Sequence, residues 1–431
     1  MINSVLLTNK PTITLNGIDI TEIVTGLTIT ESLFDPVLRG HLTTLNTASA
    51  NLYQRTGSLG ALSPIDFSIN SLFKGNTEKT IKTKDMFVYK IMPGSEIPGT
   101  TNTEIMCYFA TKPLFVNNSR MISKYYDDTI SNMVKSFCKE IDIQCDIQET
   151  EGKVKRVFTY DSPFSHIILL SKQARSKENP KNVDYVFYQD IDNKHHFITI
   201  SKFKEKEVKW KYKVLQPHPE LTTEEAKYSV IRHSGEGFSP FENALEGLYS
   251  SEIVSFDSTT GDYFSKTHVY DKNKYSTISN KAIINVEKES EFKKIANSAV
   301  AVRRFNKQRF LHDCSEEPAG QDGVGLQDDW AGNRMGSMQQ MDQIVMYLNV
   351  PGNSEMKVGD LIEVRKMLNE AYIEQSGVQM QEKDVFLTGK FLITAISHDI
   401  SLKSGGTAGT PSSTYTMRIK AVKDSKGDEY A

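Results

Sequence analysis

Alternation of apolar and polar residues dominates both ends of this chain and gives way to helical spacing between them. Residues 12–15 (TITL) run into Asn16-Gly17, a strong hairpin signal, and Ile18 and Ile20 continue the alternation. The period of two returns at 27–33, 40–45, 64–69, 86–91 and 103–109. The first 115 residues thus predict some six antiparallel strands with one apolar face, a small barrel or sandwich. Residues 92–103 (MPGSEIPGTTNT) read as a turn-rich hairpin tip.

The pattern changes near Asn117. Apolar residues at 126, 130, 133, 134 and 137 are spaced for a helix over 126–138, with Asp127 and Asp128 in its first turn. Ser162 caps a second helix that starts at Pro163 and passes through Ile167, Leu170 and Ala174. Strands at 186–190 and 196–200, joined by Asp192-Asn193, complete an α+β unit. The stretch 209–330 is less regular. It predicts short strands at 228–232, 252–257 and 266–269, a short helix or turn at 240–249, and an exposed acidic, Gly-containing loop at 312–329. A helix at 330–340 precedes strands at 343–350, 361–364, 389–398 and 414–422. The last two form a hairpin with a loose tip at 403–413 (KSGGTAGTPSS).

Composition narrows the class. The chain has 431 residues, 38% hydrophobic and 24% charged, as in an ordinary soluble globular protein with room for more than one core. Its net charge of −3 argues against a general nucleic-acid coat. No run of 18 apolar residues predicts a membrane-spanning segment, and residues 1–12 lack the pattern of a signal peptide. Four cysteines do not make a disulfide framework.

Candidate chemistry is sparse. The chain has no dinucleotide fingerprint, phosphate loop, His-Glu-x-x-His helix or Gly-x-Ser-x-Gly elbow. His195 and His196 are adjacent on a strand and point to opposite faces, which suits a hairpin edge with one exposed ring better than a shared metal. Cys138 and Cys145 lie among Ile and Phe residues and read as small buried hydrophobes rather than a zinc or redox site. Cys314 with His312 lacks a visible oxyanion hole. The acids Asp313, Glu316, Glu317, Asp322, Asp328 and Asp329 lack the spacing of a calcium loop and read as a solvated surface. In residues 202–213 (KFKEKEVKWKYK), a strand from 208 would place Val208, Trp210 and Tyr212 on one face. Lys209, Lys211 and Lys213 would lie on the other: a half-buried strand, a protein-partner surface or a nucleic-acid platform. No catalytic, cofactor-binding or metal residue is assigned, no cofactor is expected, and no enzymatic activity is expected.

Residues 28–43 (TITESLFDPVLRGHLT) resemble the opening of baseplate hub proteins of contractile-tailed bacteriophages: a strand, a mostly apolar corner, and a second strand starting at a Gly. Residues 346–364, with Lys357-Val358-Gly359-Asp360 before a strand, and the terminal hairpin 391–398 with 415–420, are similar to that family's C-terminal pattern. Residues 186–190 resemble its aromatic strand before a second tube-type domain. The resemblance implies a mainly β chain of two tail-tube-like small β-barrels plus an α+β domain. The first barrel would be 1–116, and the second would combine 209–250 with 330–424. The α+β part would be 117–208 with 251–329, and 425–431 would form a tail. It further implies a homotrimeric ring that adapts a sixfold tail tube above to a threefold central spike below. Baseplate wedge proteins would surround it, and DNA or tape-measure protein would pass through the lumen without specific binding. The place would be the virion tail baseplate, assembled in the bacterial host cytoplasm. A hub or spike base of another contractile injection particle or secretion system has the same geometry. A tail-associated cell-wall or polysaccharide-degrading protein is a further alternative, and the chain shows neither solenoid repeats nor room for an added domain after the last strand.

Overall fold

The computed structural model describes residues 7–8, 11–46, 52, 62–70, 80–96, 102–214, 223–237, 242, 248, 250–256, 263–269, 301–306, 310–311, 327–373, 379–384, 386–402 and 413–424. The first part of the chain is all strand: β1 (Leu7–Thr8), β2 (Thr12–Leu15), β3 (Ile18–Asp19), β4 (Val24–Ser32), β5 (Arg39–Asn46), β6 (Pro64–Asn70), β7 (Thr80–Glu96) and β8 (Thr103–Thr111). Asn16 and Gly17, at φ 53° and 78°, make the left-handed two-residue turn that an Asn-Gly pair favours. β7 continues to Glu96, so the first part of the expected tip, 92–96, is strand. The remainder of that tip lies almost wholly outside the described residues.

The middle contains α1 (Lys112–Ser119), β9 (Ile122–Thr129), α2 (Ile130–Glu140), β10 (Cys145–Ile147), β11 (Lys153–Asp161), α3 (Pro163–Ser171), β12 (Tyr185–Gln189), β13 (His195–Thr199) and α4 (Ser201–Lys204). The helix expected over 126–138 begins later. Tyr126 to Asp128 extend β9, which is held by its ladder to β11, and Thr129 is the cap, accepting the Asn132 N–H at 3.3 Å. No acid lies in the first turn of α2. The Ser162 cap and Pro163 start are as expected, though α3 ends at Ser171.

The rest comprises β14 (Val208–Val214), α5 (Thr223–Lys227), β15 (Ser229–Val230), β16 (Arg232–Glu236), β17 (Ser250–Phe256), β18 (Tyr263–Val269), β19 (Ala301–Asn306), β20 (Phe310–Leu311) and α6 (Gln327–Met341). Then follow β21 (Ile344–Pro351), β22 (Leu361–Arg365), β23 (Met367–Ile373), β24 (Gln379–Lys383), β25 (Gly389–Leu402) and β26 (Ser413–Lys423). Except for Glu242 and Leu248, residues 240–249 lie outside the described residues.

The two closed barrels expected at 1–116 and at 209–250 with 330–424 are not formed. A single sheet of 15 strands takes in both ends of the chain, and its main path, β15-β14-β22-β25-β4-β5-β8-β7-β6-β2-β3, stays open. The cause is β25, which is longer than its alternation suggested. One edge of it pairs β22 over Gly389–Leu392 and then β4 over Ala395–Ser401, while the other edge pairs β26. One strand therefore belongs to both halves. The core follows suit, since Ile29, Leu42 and Phe109 belong to the same apolar cluster as Met346, Phe391 and Ile419. A separate, aromatic-rich cluster with Phe137, Phe158, Phe164 and Phe197 fills the α+β region.

Two glycines are required by close approach. A Cβ on Gly40 would lie 2.3 Å from Thr28 O and 2.5 Å from the Phe109 ring. Gly359, at φ +81°, lies against the Phe203 ring.

Candidate functional site

Register arranges the outward residues of eight consecutive strands, β16-β21-β26-β25-β4-β5-β8-β7, into rows. One row reads Arg232, Asn349, Arg418, Ser397, Thr30, Arg39. Beside it lie Ser234, Tyr347, Lys420, Ala395 and Ser32. Asp399, Thr28, His41, Tyr108 and Lys90 form a third. Short hydroxyl side chains and cations predominate. Arg418 grips Asp399 with two bonds of 2.6 and 3.1 Å, and Arg39 meets Asp35 at 3.1 Å. The face opens into a shallow groove of about 560 Å³ between β4, β25, β26, β21 and β16.

The opposite parity of the same strands carries a buried polar node. Glu31, 1% exposed, accepts the Ile191 N–H at 3.0 Å and the Val358 N–H at 3.2 Å. His398 Nε2 stands 3.8 Å from Glu31, an ion-pair distance too long for a hydrogen bond, and its Nδ1 meets the Tyr415 hydroxyl at 2.7 Å. Burial raises the Glu31 pKa, and His398 opposes that rise. Acid, imidazole and hydroxyl thus stand in series, but all three are buried and the Tyr415 phenol is pushed well above its ordinary range by burial. The arrangement ties strands together and offers no nucleophile to solvent.

The β12–β13 hairpin is seated on this node. Asp190 Oδ1 accepts the N–H groups of Asp192 (3.0 Å) and Lys194 (2.9 Å), and Oδ2 faces His196 at 3.3 Å and Lys357 at 3.2 Å. Burial works to raise the Asp190 pKa, but the His196 and Lys194 hydrogen bonds and the Lys357 charge outweigh it and hold it at about 2. Gln189 accepts the Leu38 N–H (3.0 Å) and the Thr111 hydroxyl (2.6 Å), locking the corner after β4 to the hairpin. Arg334 of α6 donates to Val183 O (2.7 Å) and Tyr185 O (3.1 Å). Lys204 and Asp424 pair at 3.1 Å in full burial.

The residues singled out by sequence scatter around this junction. His195 and His196 do not sit on an edge with one ring exposed, because β10 pairs β13 in parallel and makes it the central strand of three. His195 is buried, lies 3.1 Å from Pro36 O, and is lowered by burial to a pKa of about 4, so neutral Nε2–H donates. Cys138 is buried and Cys145 partly so. Trp210 and Tyr212 are buried on β14 while Lys209 and Lys211 reach Asp360 (2.9 Å) and Glu363 (3.6 Å), the alternation expected of a half-buried strand. His312, Asp313, Cys314, Glu316, Glu317, Asp322 and the tip 403–412 lie outside the described residues; Asp328 and Asp329 fall in α6, not in a loop. Among the described residues no group of three or more His, Cys, Asp or Glu is placed to hold a metal, and no helix is long and apolar enough to cross a membrane. Sequence reasoning missed Glu31 and His398. The available signal was parity: both occupy inward positions, between Ile29 and Leu33 and between Ile396 and Ile400.

The fold is similar to those of two solved tail proteins. Over 96% of this chain it matches 98% of the 43 kDa tail protein of prophage MuSo2 from Shewanella oneidensis, at 12% identity and a TM-score of 0.52. It matches 96% of the tail protein from Neisseria meningitidis MC58 over 96% of its own length, at 6% identity and a TM-score of 0.54. No family model and no curated protein sequence matches the chain.

Proposed function

We propose that this protein is a non-catalytic structural hub of a contractile tail baseplate, located in the virion tail, where three copies form a ring between the tail tube and the central spike. The single observation that carries this reading is the eight-strand outward face. Its strands come in two sets of four: β4, β5, β7 and β8 from 1–116, and β16, β21, β25 and β26 from 209–250 and 330–424. Three copies would supply six such sets, which suits a sixfold tube and a threefold spike. Among the described residues, both ends of the face carry backbone without a ladder partner: β16 pairs only with β21, and no strand pairs residues 89–96 of β7 opposite β8. Exposed edges of this kind are covered in assemblies by neighbouring copies. Two different edges meeting head to tail give a heterologous contact, which closes a ring when each step turns by a third of a revolution. The face then lines the lumen, where short hydroxyls, with Arg418 and Arg39 held by Asp399 and Asp35, leave little to anchor passing DNA or tape-measure protein. The tube, spike and wedge proteins are the partners at the ring's rims and flank.

Light scattering of the purified chain is expected to give about three times 48.6 kDa. Ser234→Cys combined with Met92→Cys should cross-link under mild oxidation into a ladder that stops at three chains. A chain that stays monomeric alone and in assembled particles, or a ladder that stops at two, overturns the reading.

A further inference from the structure

The end of the basic stretch 202–213, which the hub reading leaves unused, belongs to a charged sheet face. β14, β22 and β25 lie side by side. Their register sets Trp210 beside Ile362, Ile362 beside Phe391 and Tyr212 beside Val364, and all five side chains are buried. The alternate positions face outward. Lys211, Glu363 and Lys390 make one row across the three strands, and Lys213 stands opposite Arg365 in the next. With Lys209, two residues before Lys211 on β14, five exposed cations surround one carboxylate.

That carboxylate is shared. Glu363 Oε1 accepts from Arg365 Nε at 2.8 Å, and Oε2 faces Lys211 Nζ at 3.6 Å. Burial works to raise the Glu363 pKa, but the Arg365 hydrogen bond and the Arg365 and Lys211 charges hold it below the ordinary carboxylate range. Lys209 reaches the buried Asp360 at 2.9 Å. Among the described residues no carboxylate pairs with Lys213 or Lys390. Like charges set opposite each other destabilise a sheet, as Lys213 and Arg365 are here. The chain as a whole carries a net charge of −3, so this face concentrates the opposite sign. An anionic partner relieves the repulsion and gains the attraction.

We propose that the outward face of β14, β22 and β25 docks an extended acidic segment of another protein, in which Asp or Glu alternates with uncharged residues. Alternate residues of a strand are about 7 Å apart, so such a segment keeps step with Lys209, Lys211 and Lys213. Its carboxylates meet the ammonium and guanidinium groups in charge-assisted hydrogen bonds. Nucleic acid is disfavoured on two counts. The aromatic rings of these strands point into the core and leave bases no stacking platform, and Glu363 stands where a run of phosphates would pass.

The test is fluorescence anisotropy on the full chain at low salt, with a labelled peptide of alternating Glu and Thr as the probe. Binding should saturate and should weaken steeply as salt is added. The same peptide with Gln in place of Glu, and a single-stranded oligothymidine of matched charge, should each bind at least about tenfold more weakly. Lys213→Gln combined with Lys390→Gln should weaken the Glu peptide about tenfold, as the loss of two exposed ion pairs implies. Lys213→Glu should also lose affinity while its melting temperature holds or rises, because the change sets opposite charges in register at Arg365. That second readout separates a lost contact from a damaged fold. Equal binding of the Glu and Gln peptides overturns the proposal, as does unchanged affinity in the double variant or an oligothymidine that binds as tightly as the Glu peptide. Oligomeric state does not enter these readouts, so failure here and failure of the hub reading are distinguishable.

Discussion

Thr30 and Glu31 are neighbours in sequence and lie on opposite faces of one strand, where polarity serves opposite ends. On the Thr30 side, hydroxyls and guanidinium groups keep contact with water or with surface partners. The Thr30 hydroxyl bonds Arg39 O at 3.0 Å, and Arg418 shares its charge with Asp399. On the Glu31 side, several polar groups join parts of the chain that are remote in sequence: Glu31 to Ile191 and Val358, Asp190 to Lys357, Gln189 to Leu38. The outer face can change composition at little cost in stability. The inner one cannot, since a lost partner leaves a buried polar group unsatisfied.

Glu31→Ala should break this contrast most severely. It strips two buried N–H groups of their acceptor, and urea titration should show a loss of about 2–5 kcal/mol, the cost of leaving two buried donors unsatisfied. Gly40→Ala comes next. The new methyl would press on Thr28 O and Phe109, at about 1–3 kcal/mol for overpacking, read as a lower melting temperature.

The pH dependence sharpens the comparison within the inner side. Asp190 has a folded pKa of about 2, below its ordinary 3.8, so the folded state binds fewer protons than the unfolded one in between. Its stabilisation is therefore fully present above about pH 4–5 and is lost as pH falls towards 2, amounting to about 2 kcal/mol at most. Glu31 acts with the opposite sign: its raised pKa favours the folded state as pH falls towards the ordinary carboxylate range. Asp190→Asn should flatten the acid limb of a stability–pH profile. An unchanged limb would remove Asp190 as its source. The smallest effect belongs to the outer face: Arg232→Ala should change stability by less than about 0.5 kcal/mol.

Local signals found most strands and the Ser162 cap, because alternation and cap chemistry act within a few residues. The pairings that define the fold act over hundreds. Nothing near residue 395 specifies that β25 will lie beside β4, so two β-rich ends read as two closed units. The junction escaped for a related reason: a Glu among Thr and Ser residues in 28–32 looks like a surface acid until its parity with Leu27, Ile29 and Leu33 is weighed. His195 shows the converse error. Its neighbour β10 is three residues long, too short to announce itself by alternation, and it is β10 that turns an apparent edge into a centre.

The placing of β25 also sets a timetable for synthesis. β5 reaches one edge of β4 soon after it is made, but the other edge waits for Ala395–Ser401. At about 5–20 residues per second, a ribosome needs on the order of 20–70 s to make the intervening chain. Throughout that interval the growing chain carries an open strand edge and a Glu31 carboxylate without its Val358 partner. A nascent chain that stalls before β25 thus ends with a ready template for strand addition, and truncated products of this protein should aggregate where the full chain does not.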